Sequence, residues 1–419
     1  MKVLLMHEEA QTHGSGGLTA MYRLHTHLRQ AGAESVIACR HNPGSIPQDQ
    51  VRELPRSDFM ESVLGTISWR VGLNEIHCVS SYKIKNWPPF LDADVLNIHG
   101  AHTNYFSYLA LKGMSRRKPI ICTMHDMWHL TGHCSQSYEC QRWRTGCGRC
   151  PHLETYPPVG RDATAIEWKL KRRTYRKSNL TFVAPSRWLA DMCRDGITQG
   201  SDIRQIPNAV DETIYTPFDK AKCRAELGVP PDKHVIMFIS VAIHAKAKGG
   251  DLLAAALAAL PEQLKRNSVL LVMGEKSEEF ARNVGIPAIS LGYVKEDAEK
   301  AVAYSAADVI VQPSRAENQS LVILEAMSCG TPIVAFDVGG NAELVNDGPC
   351  GIICLPEDST SLSQAIASIL ENQSMRHDFA RNAREAILRR YTLRQHARNY
   401  LDLYQEKIEE RASMQSTGR

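Results

Sequence analysis

The sequence predicts a doubly wound α/β fold built twice over, and three observations carry that expectation. Short apolar, β-branched runs recur along the chain, helix-length segments follow most of them, and a turn-rich bridge separates a first set of runs from a second. Strands of four to seven residues divided by helices belong to parallel sheets covered on both faces.

In the first set the runs are Lys2 to Met6, Ser35 to Cys39, Asp94 to His99, Pro119 to His125, Leu180 to Pro185 and Asp202 to Pro207. The second set comprises His234 to Ser240, Ser268 to Gly274, Ala288 to Gly292, Asp308 to Pro313, Thr331 to Asp337 and Gly351 to Leu355. Between them, Pro207-Asn208-Ala209-Val210-Asp211 through Pro217 interrupts any regular element and places a domain boundary. The domains then span residues 1-206 and 207-390. Residues 391-419 hold a long charged helix, about Tyr391 to Arg411, expected to pack back towards the first domain. Its apolar stripe is Leu393, Ala397, Tyr400, Leu401 and Tyr404, and the tail from Ser413 is expected to fray.

A chain of 419 residues with 43% hydrophobic and 23% charged residues excludes fibrous, disordered and disulfide-miniprotein classes. Its net charge of +3 conceals a polarity. Residues 1 to 206 carry 26 Lys and Arg against 18 Asp and Glu, whereas the remainder carries 23 against 28. A basic half suits an anionic membrane surface or nucleic acid. No run approaches the length of a membrane span, and Met1 to Met6 leads directly into polar His7-Glu8-Glu9, so the expectation is a cytoplasmic protein. Twelve cysteines are too dilute for a secreted scaffold and should stay reduced unless they ligate metal.

Three loops carry candidate chemistry. After the first run, His13-Gly14-Ser15-Gly16-Gly17 precedes a helix. Glycines there let backbone N–H groups approach an anion at the helix N-terminus, although such a turn also occurs without a ligand. In the second half, Lys246-Ala247-Lys248-Gly249-Gly250 opens another helix, so Lys246 and Lys248 either neutralise a diphosphate or form a solvated basic loop. The stretch Gln312-Pro313-Ser314-Arg315-Ala316-Glu317-Asn318-Gln319-Ser320-Leu321 ends a strand and starts a helix containing Glu325. Two carboxylates at the carboxyl edge of a parallel sheet can grip sugar and ribose hydroxyls while the amides of Asn318 to Leu321 face phosphate. The alternative is that both are solvated, which the apolar neighbours of Glu325 disfavour.

The pattern Pro313-Ser314, Glu317, Glu325-Ala326-Met327 and Cys329-Gly330-Thr331-Pro332, followed by Gly339-Gly340 and Glu343, resembles the donor-binding signature of retaining glycosyltransferases of family 4. Ile206-Pro207-Asn208, Pro185-Ser186-Arg187-Trp188 and His125-Asp126 resemble further segments of that family. The run from His125-Asp126-Met127-Trp128 to Cys150-Pro151 is similar to exopolysaccharide enzymes of the colanic-acid type. The resemblance implies two Rossmann-like domains facing across a cleft, the GT-B fold. It also implies a nucleotide-diphosphate sugar as co-substrate, a polysaccharide or lipid-linked acceptor, and no cofactor required for catalysis. By the same resemblance, Glu317 holds donor-sugar hydroxyls, Glu325 the ribose, and Lys248 the diphosphate. His125 approaches the transferred sugar, and Gly16 or Gly17 contacts the donor from the other domain. Ala242 stands where many relatives have Arg, and Asn318-Gln319-Ser320 replaces a common Gly-Phe-Gly run. An epimerase or phosphorylase on the same fold and a non-catalytic sugar-nucleotide sensor are the competing readings.

Cys134, Cys140, Cys147 and Cys150, with His129 and His133 nearby, offer four thiolates within one loop. They could close a structural zinc site, with disulfides or free thiols as the alternatives. Trp168-Lys169-Leu170-Lys171-Arg172-Arg173-Thr174-Tyr175-Arg176-Lys177 reads as a basic helix, either a solvated face or a peripheral contact with anionic lipid on the inner face of the plasma membrane. No nucleic-acid recognition motif accompanies the charge.

Overall fold

The computed structural model describes residues 1–416, and the chain divides into two compact units. One comprises Met1–Pro207 and the chain from Arg394 onward, and the other Asn208–Leu393.

The first unit is built on a parallel sheet of seven strands in the order β3-β2-β1-β4-β5-β6-β7. These are β1 (Lys2–Glu9), β2 (Glu34–His41), β3 (Val51–Glu53), β4 (Val95–His99), β5 (Ile120–Thr123), β6 (Leu180–Ala184) and β7 (Asp202–Gln205). Strand alternation splits β1 between two cores. Val3 and Leu5 pack with Leu18 and Leu24 of the helix Gly16–Gln30 and with Tyr400 and Tyr404 of the helix Leu393–Ser416. Leu4 and Met6 face Trp128, Tyr175 and Phe182 on the opposite side. The C-terminal helix is also tied by polar contacts. Asn97 Nδ2 donates to Tyr404 Oη at 2.7 Å, the Thr123 and Tyr400 hydroxyls lie 3.1 Å apart, and His396 Nδ1 lies 2.6 Å from the Pro207 carbonyl. This helix continues unbroken to Ser416 where fraying was expected from Ser413.

The second unit holds β8 (His234–Ala242), β9 (Ser268–Glu275), β10 (Ala288–Ser290), β11 (Val309–Gln312), β12 (Ile333–Phe336) and β13 (Gly351–Cys354), all parallel, in the order β10-β9-β8-β11-β12-β13. Each of the twelve runs read from the sequence contains a strand. The addition is β3, an edge strand too short to pattern, with Arg52 and Glu53 exposed. Both strand orders reverse once, between β1 and β4 and between β8 and β11, and in doubly wound sheets the crevice at such a reversal is where ligands bind.

The basic run, read as either a solvated face or a peripheral lipid contact, turns part of itself into the core. In the helix Thr164–Arg176, Trp168, Lys171 and Tyr175 point inward. Lys171 Nζ donates to the Trp128 carbonyl at 2.7 Å and the Thr131 carbonyl at 3.1 Å, and sits 3.4 Å from the Trp128 ring centroid. Burial lowers its pKa to about 8 although buried Glu167 lies nearby. Helical periodicity explains the split: positions 168, 171 and 175 share the face that meets the sheet.

Asp308, just before β11, is buried and accepts from Arg224 Nη2 at 2.7 Å, Lys220 Nζ at 3.1 Å and the Val235 amide at 2.9 Å. Asp308→Ala strands a largely buried guanidinium and an amide, so it should destabilise the second unit by about 3 kcal/mol, read as a lowered urea midpoint with unchanged m-value.

Candidate functional site

In the second unit the reversal between β8 and β11 collects the loops singled out in the sequence. β11 ends at Gln312, and Ser320 caps the helix Leu321–Ser328 by accepting the Ile323 amide at 3.3 Å. Between them Glu317 Oε1 receives three donors: Lys248 Nζ at 2.7 Å, Gln312 Nε2 at 3.1 Å and Ser314 Oγ at 3.1 Å. Lys248 arrives from a single helical turn, Lys246–Lys248, ended by Gly249 at φ 69°. Only glycine fits there, since a β-carbon would stand 1.8 Å from the Pro313 carbonyl oxygen. Gly339, at φ 59°, lies equally close to the Glu317 carbonyl, where a β-carbon would approach to 2.0 Å. The carboxylate is therefore held by backbone packing on two sides as well as by its donors.

The other candidates divide. Lys246 is exposed, and its carbonyl accepts from Arg315 Nη1 at 2.8 Å. Arg315 is itself committed to Asp251 and Glu357. Gln319 is a strut, because its side-chain oxygen takes the Asn208 amide at 2.6 Å and its carbonyl takes Asn208 Nδ2 at 3.2 Å. Asn318 is buried, and its carbonyl accepts the Gly340 amide at 2.6 Å. The loop thus offers a ligand mainly backbone, at the partly positive start of a helix whose first residue is Leu321. Glu325 is buried within that helix and accepts from the Tyr304 hydroxyl at 3.0 Å.

In the first unit, Ser15 caps the helix beginning at Gly16, accepting the Leu18 amide at 3.3 Å. Gly16 is exposed, while Gly17 lies against His125: a β-carbon there would come to 3.0 Å of the imidazole ring. His125 Nε2 is 3.0 Å from His99 Nδ1, and the two rings stack at 5.2 Å. Burial, reinforced by positive charge at His102, lowers the His125 pKa to about 4, so it is neutral at pH 7. Its neighbour Asp126 accepts from His102 Nε2 at 2.7 Å and from the Trp128 amide at 2.9 Å. This pairing raises the His102 pKa against burial and lowers that of Asp126.

Two parts of this cluster had no sequence signal. His99 ends β4 and His102 follows it, and Glu75 lies more than twenty residues upstream of both. The Glu75 carboxylate is buried and accepts the Thr103 amide at 3.0 Å and the Asn104 amide at 2.8 Å. Both acceptor contacts fix residues at positive φ, 86° and 60°, and burial lifts the Glu75 pKa to about 7. Histidines at a strand end opposite a glycine-rich loop were the available clue.

The cysteine loop is a correction. Cys134, Cys140, Cys147 and Cys150 line one small pocket with His133, and all four are free thiols. Yet Cys147 Sγ accepts the Gly132 amide at 3.2 Å and Cys150 Sγ lies 3.4 Å from His133 Nε2. Among the described residues no group of three or more His, Cys, Asp or Glu could hold a metal ion. Burial pushes the Cys134 thiol to about 12 and the Cys147 thiol to about 11. These residues do not fit the expected structural zinc.

Comparison with known proteins finds relatives for both units. Residues 14–214 match Glycosyltransferase Family 4, and residues 219–386 match Glycosyl transferases group 1. A D-inositol 3-phosphate glycosyltransferase of Catenulispora acidiphila is 34% identical over 200 residues, covering 45% of this chain and 47% of that protein. The putative colanic acid biosynthesis glycosyl transferase WcaC of Escherichia coli is 28% identical over 254 residues, covering 58% and 59%. The chain spans about half the length of these curated relatives. The crystal structure of Anabaena HepE in complex with UDP and glucose shares the fold with a TM-score of 0.68 at 18% identity, covering 97% of this chain and 100% of that one. With one match on each of its two Rossmann-like units, the chain belongs to the family 4-type glycosyltransferases of the GT-B fold.

Proposed function

We propose that this protein moves a sugar from a nucleotide-diphosphate donor to a polysaccharide or lipid-linked acceptor, with retention at the anomeric carbon, in cell-surface polysaccharide assembly. The observation that carries the reading is the clasp at the β8–β11 reversal, where Lys248, Gln312 and Ser314 converge on Glu317 beside a helix N-terminus. HepE, with the same fold, binds UDP and glucose, which supports a donor of the uridine diphosphate hexose class. The name of WcaC supports an exopolysaccharide acceptor.

Cleavage of a glycosyl–diphosphate bond builds negative charge on the leaving phosphate. Lys248 and the first-turn amides from Leu321 would stabilise that charge. Glu317 holds the sugar hydroxyls and Glu325 the ribose, and neutral His125 has the role of approaching the transferred sugar. The acceptor hydroxyl attacks on the leaving-group side and passes its proton to a phosphate oxygen. No helix among the described residues is long and apolar enough to cross a membrane, and the reading is a cytoplasmic enzyme that meets its acceptor by peripheral contact.

Thermal-shift screening against sugar nucleotides, followed by transfer from a labelled donor, tests this reading. Glu325→Ala should raise the donor Kd roughly 10- to 100-fold, the loss expected for a charged hydrogen bond to a ligand. His125→Ala should lower turnover about 100-fold while nucleotide binding holds. Full transfer by both variants, or binding without turnover by the native chain, would overturn it.

A further inference from the structure

β4 and β5 run parallel with His99 opposite Thr123, and strand alternation puts Val95, Asn97 and His99 on one face of the sheet. His125 follows Thr123 by two residues, so the two imidazoles leave adjacent strands on the same side. They meet through His99 Nδ1 and His125 Nε2 at 3.0 Å, with 28° between the ring planes. The Tyr105 hydroxyl donates to the His99 carbonyl at 3.4 Å and holds the backbone there.

The fold gains little from a histidine at this position. His99 is 1% exposed, and its Nε2 is a buried polar atom with no hydrogen-bond partner among the described residues. An apolar ring would fill the place without that penalty. What the imidazole adds is one N–H, and the contact with His125 decides where it lies. Burial keeps both rings neutral at pH 7, so each carries a single proton and one proton lies between them. If His125 were the donor, the proton of His99 would sit on Nε2 as a buried N–H with nothing to accept it. With His99 donating from Nδ1, the orphan is a bare nitrogen, the better tolerated of the two.

The proton of His125 is then on Nδ1. Gly17 covers the opposite edge of the ring, since a β-carbon there would stand 3.0 Å from both Cγ and Cδ2. With Nε2 taken by His99, Nδ1 is the nitrogen left for a ligand.

We propose that His99 is a positioning residue for sugar transfer: by donating from Nδ1 to His125 Nε2 it fixes His125 as the Nδ1–H tautomer, so that His125 meets the transferred sugar as a hydrogen-bond donor to one of its oxygens. The inference rests on the reading of His125 as the residue that approaches that sugar.

Long-range proton–nitrogen NMR of the histidine-labelled chain reads which nitrogen of each ring is protonated, with His99→Phe and His125→Ala supplying the assignments. In the native chain both rings should be protonated at Nδ1 and bare at Nε2. His99→Phe keeps a ring of similar size and cannot donate. Its kcat for transfer should fall about 10-fold, the worth of one hydrogen bond, while the UDP Kd stays within about 2-fold of native. His99→Asn offers an amide N–H near the position of Nδ1 and should hold kcat within about 3-fold of native. A purely structural role would order these variants the other way, because the aromatic ring preserves packing and asparagine does not. A proton on His125 Nε2 in the native chain, wholly or in equal share, would overturn the inference. So would native turnover by His99→Phe, or His99→Asn no faster than His99→Phe. His125→Ala separates this claim from the reading beneath it. Native-rate transfer by that variant sinks the role of His125 first, whereas slow transfer by it beside an unimpaired His99→Phe sinks only the role of His99.

Discussion

Glu317→Gln should lower kcat for sugar transfer by roughly 10²- to 10³-fold while the Kd for UDP changes less than about 3-fold. The glutamine keeps the shape and can still accept from Ser314 and Gln312, so the loop between β11 and the helix Leu321–Ser328 stays in place. What disappears is the negative charge facing Lys248 at 2.7 Å. In the native clasp Oε1 gathers all three donors, and the proposed function assigns Oε2 to the donor-sugar hydroxyls. Without the charge the ammonium group loses its fixed position and the sugar loses its strongest acceptor, and both losses fall on the step that breaks the glycosyl bond. Isothermal titration with UDP and single-turnover kinetics separate the two effects. A proportional loss of affinity and rate would make Glu317 a ground-state contact only.

The second large effect is acid instability. Burial holds His7, His25, His125 and His396 at about 4 and His129 at about 3, and drives His99 well below the ordinary value of 6.5. Between pH 6.5 and 4.5 the unfolded chain binds protons at these six sites and the folded chain does not, so stability falls as pH falls. Glu75, raised to about 7, and Glu167, raised to about 8, act the other way, because in that window the folded chain binds the extra proton. The buried neutral histidines outnumber the raised carboxylates, so stability falls steeply through this window, each net proton being worth up to about 1.4 kcal/mol per pH unit. Since domains are stable by only about 5 to 15 kcal/mol, the first unit should unfold cooperatively within one or two units below pH 6.5. Urea midpoints measured from pH 8 to 4.5 check this, and a flat profile would mean that the histidines are not buried neutral.

Most strands were legible because they are buried β-branched runs closed by turn residues, as in Val309–Gln312 before Pro313. The donor-side loop was legible because Glu317, Ser320 and Gly330 mark a strand end, a cap and a helix stop within a few positions. Glu75 was not legible. It sits at positive φ in an irregular segment, and its partners Thr103 and Asn104 are nearly thirty residues away. The same holds for Tyr304, which meets Glu325 only because two helices pack side by side. Gln319 reads as a ligand contact in sequence and proves to be a brace to Asn208, a relation set by tertiary packing. The helix Asp58–Val71 was not read from the sequence, since periodicity does not say which way its apolar residues face.

The helix Leu393–Ser416 closes the first unit with residues translated after the whole of the second. Until Ala397, Tyr400 and Tyr404 emerge, Val3, Leu5 and Val183 have an open flank, so of the two units the one begun earlier on the ribosome is finished later. The second unit, contiguous from Asn208 to Leu393, can complete its core beforehand. Emergence of the helix Leu393–Ser416, and not of Pro207, is thus the event that makes the first unit resistant to protease.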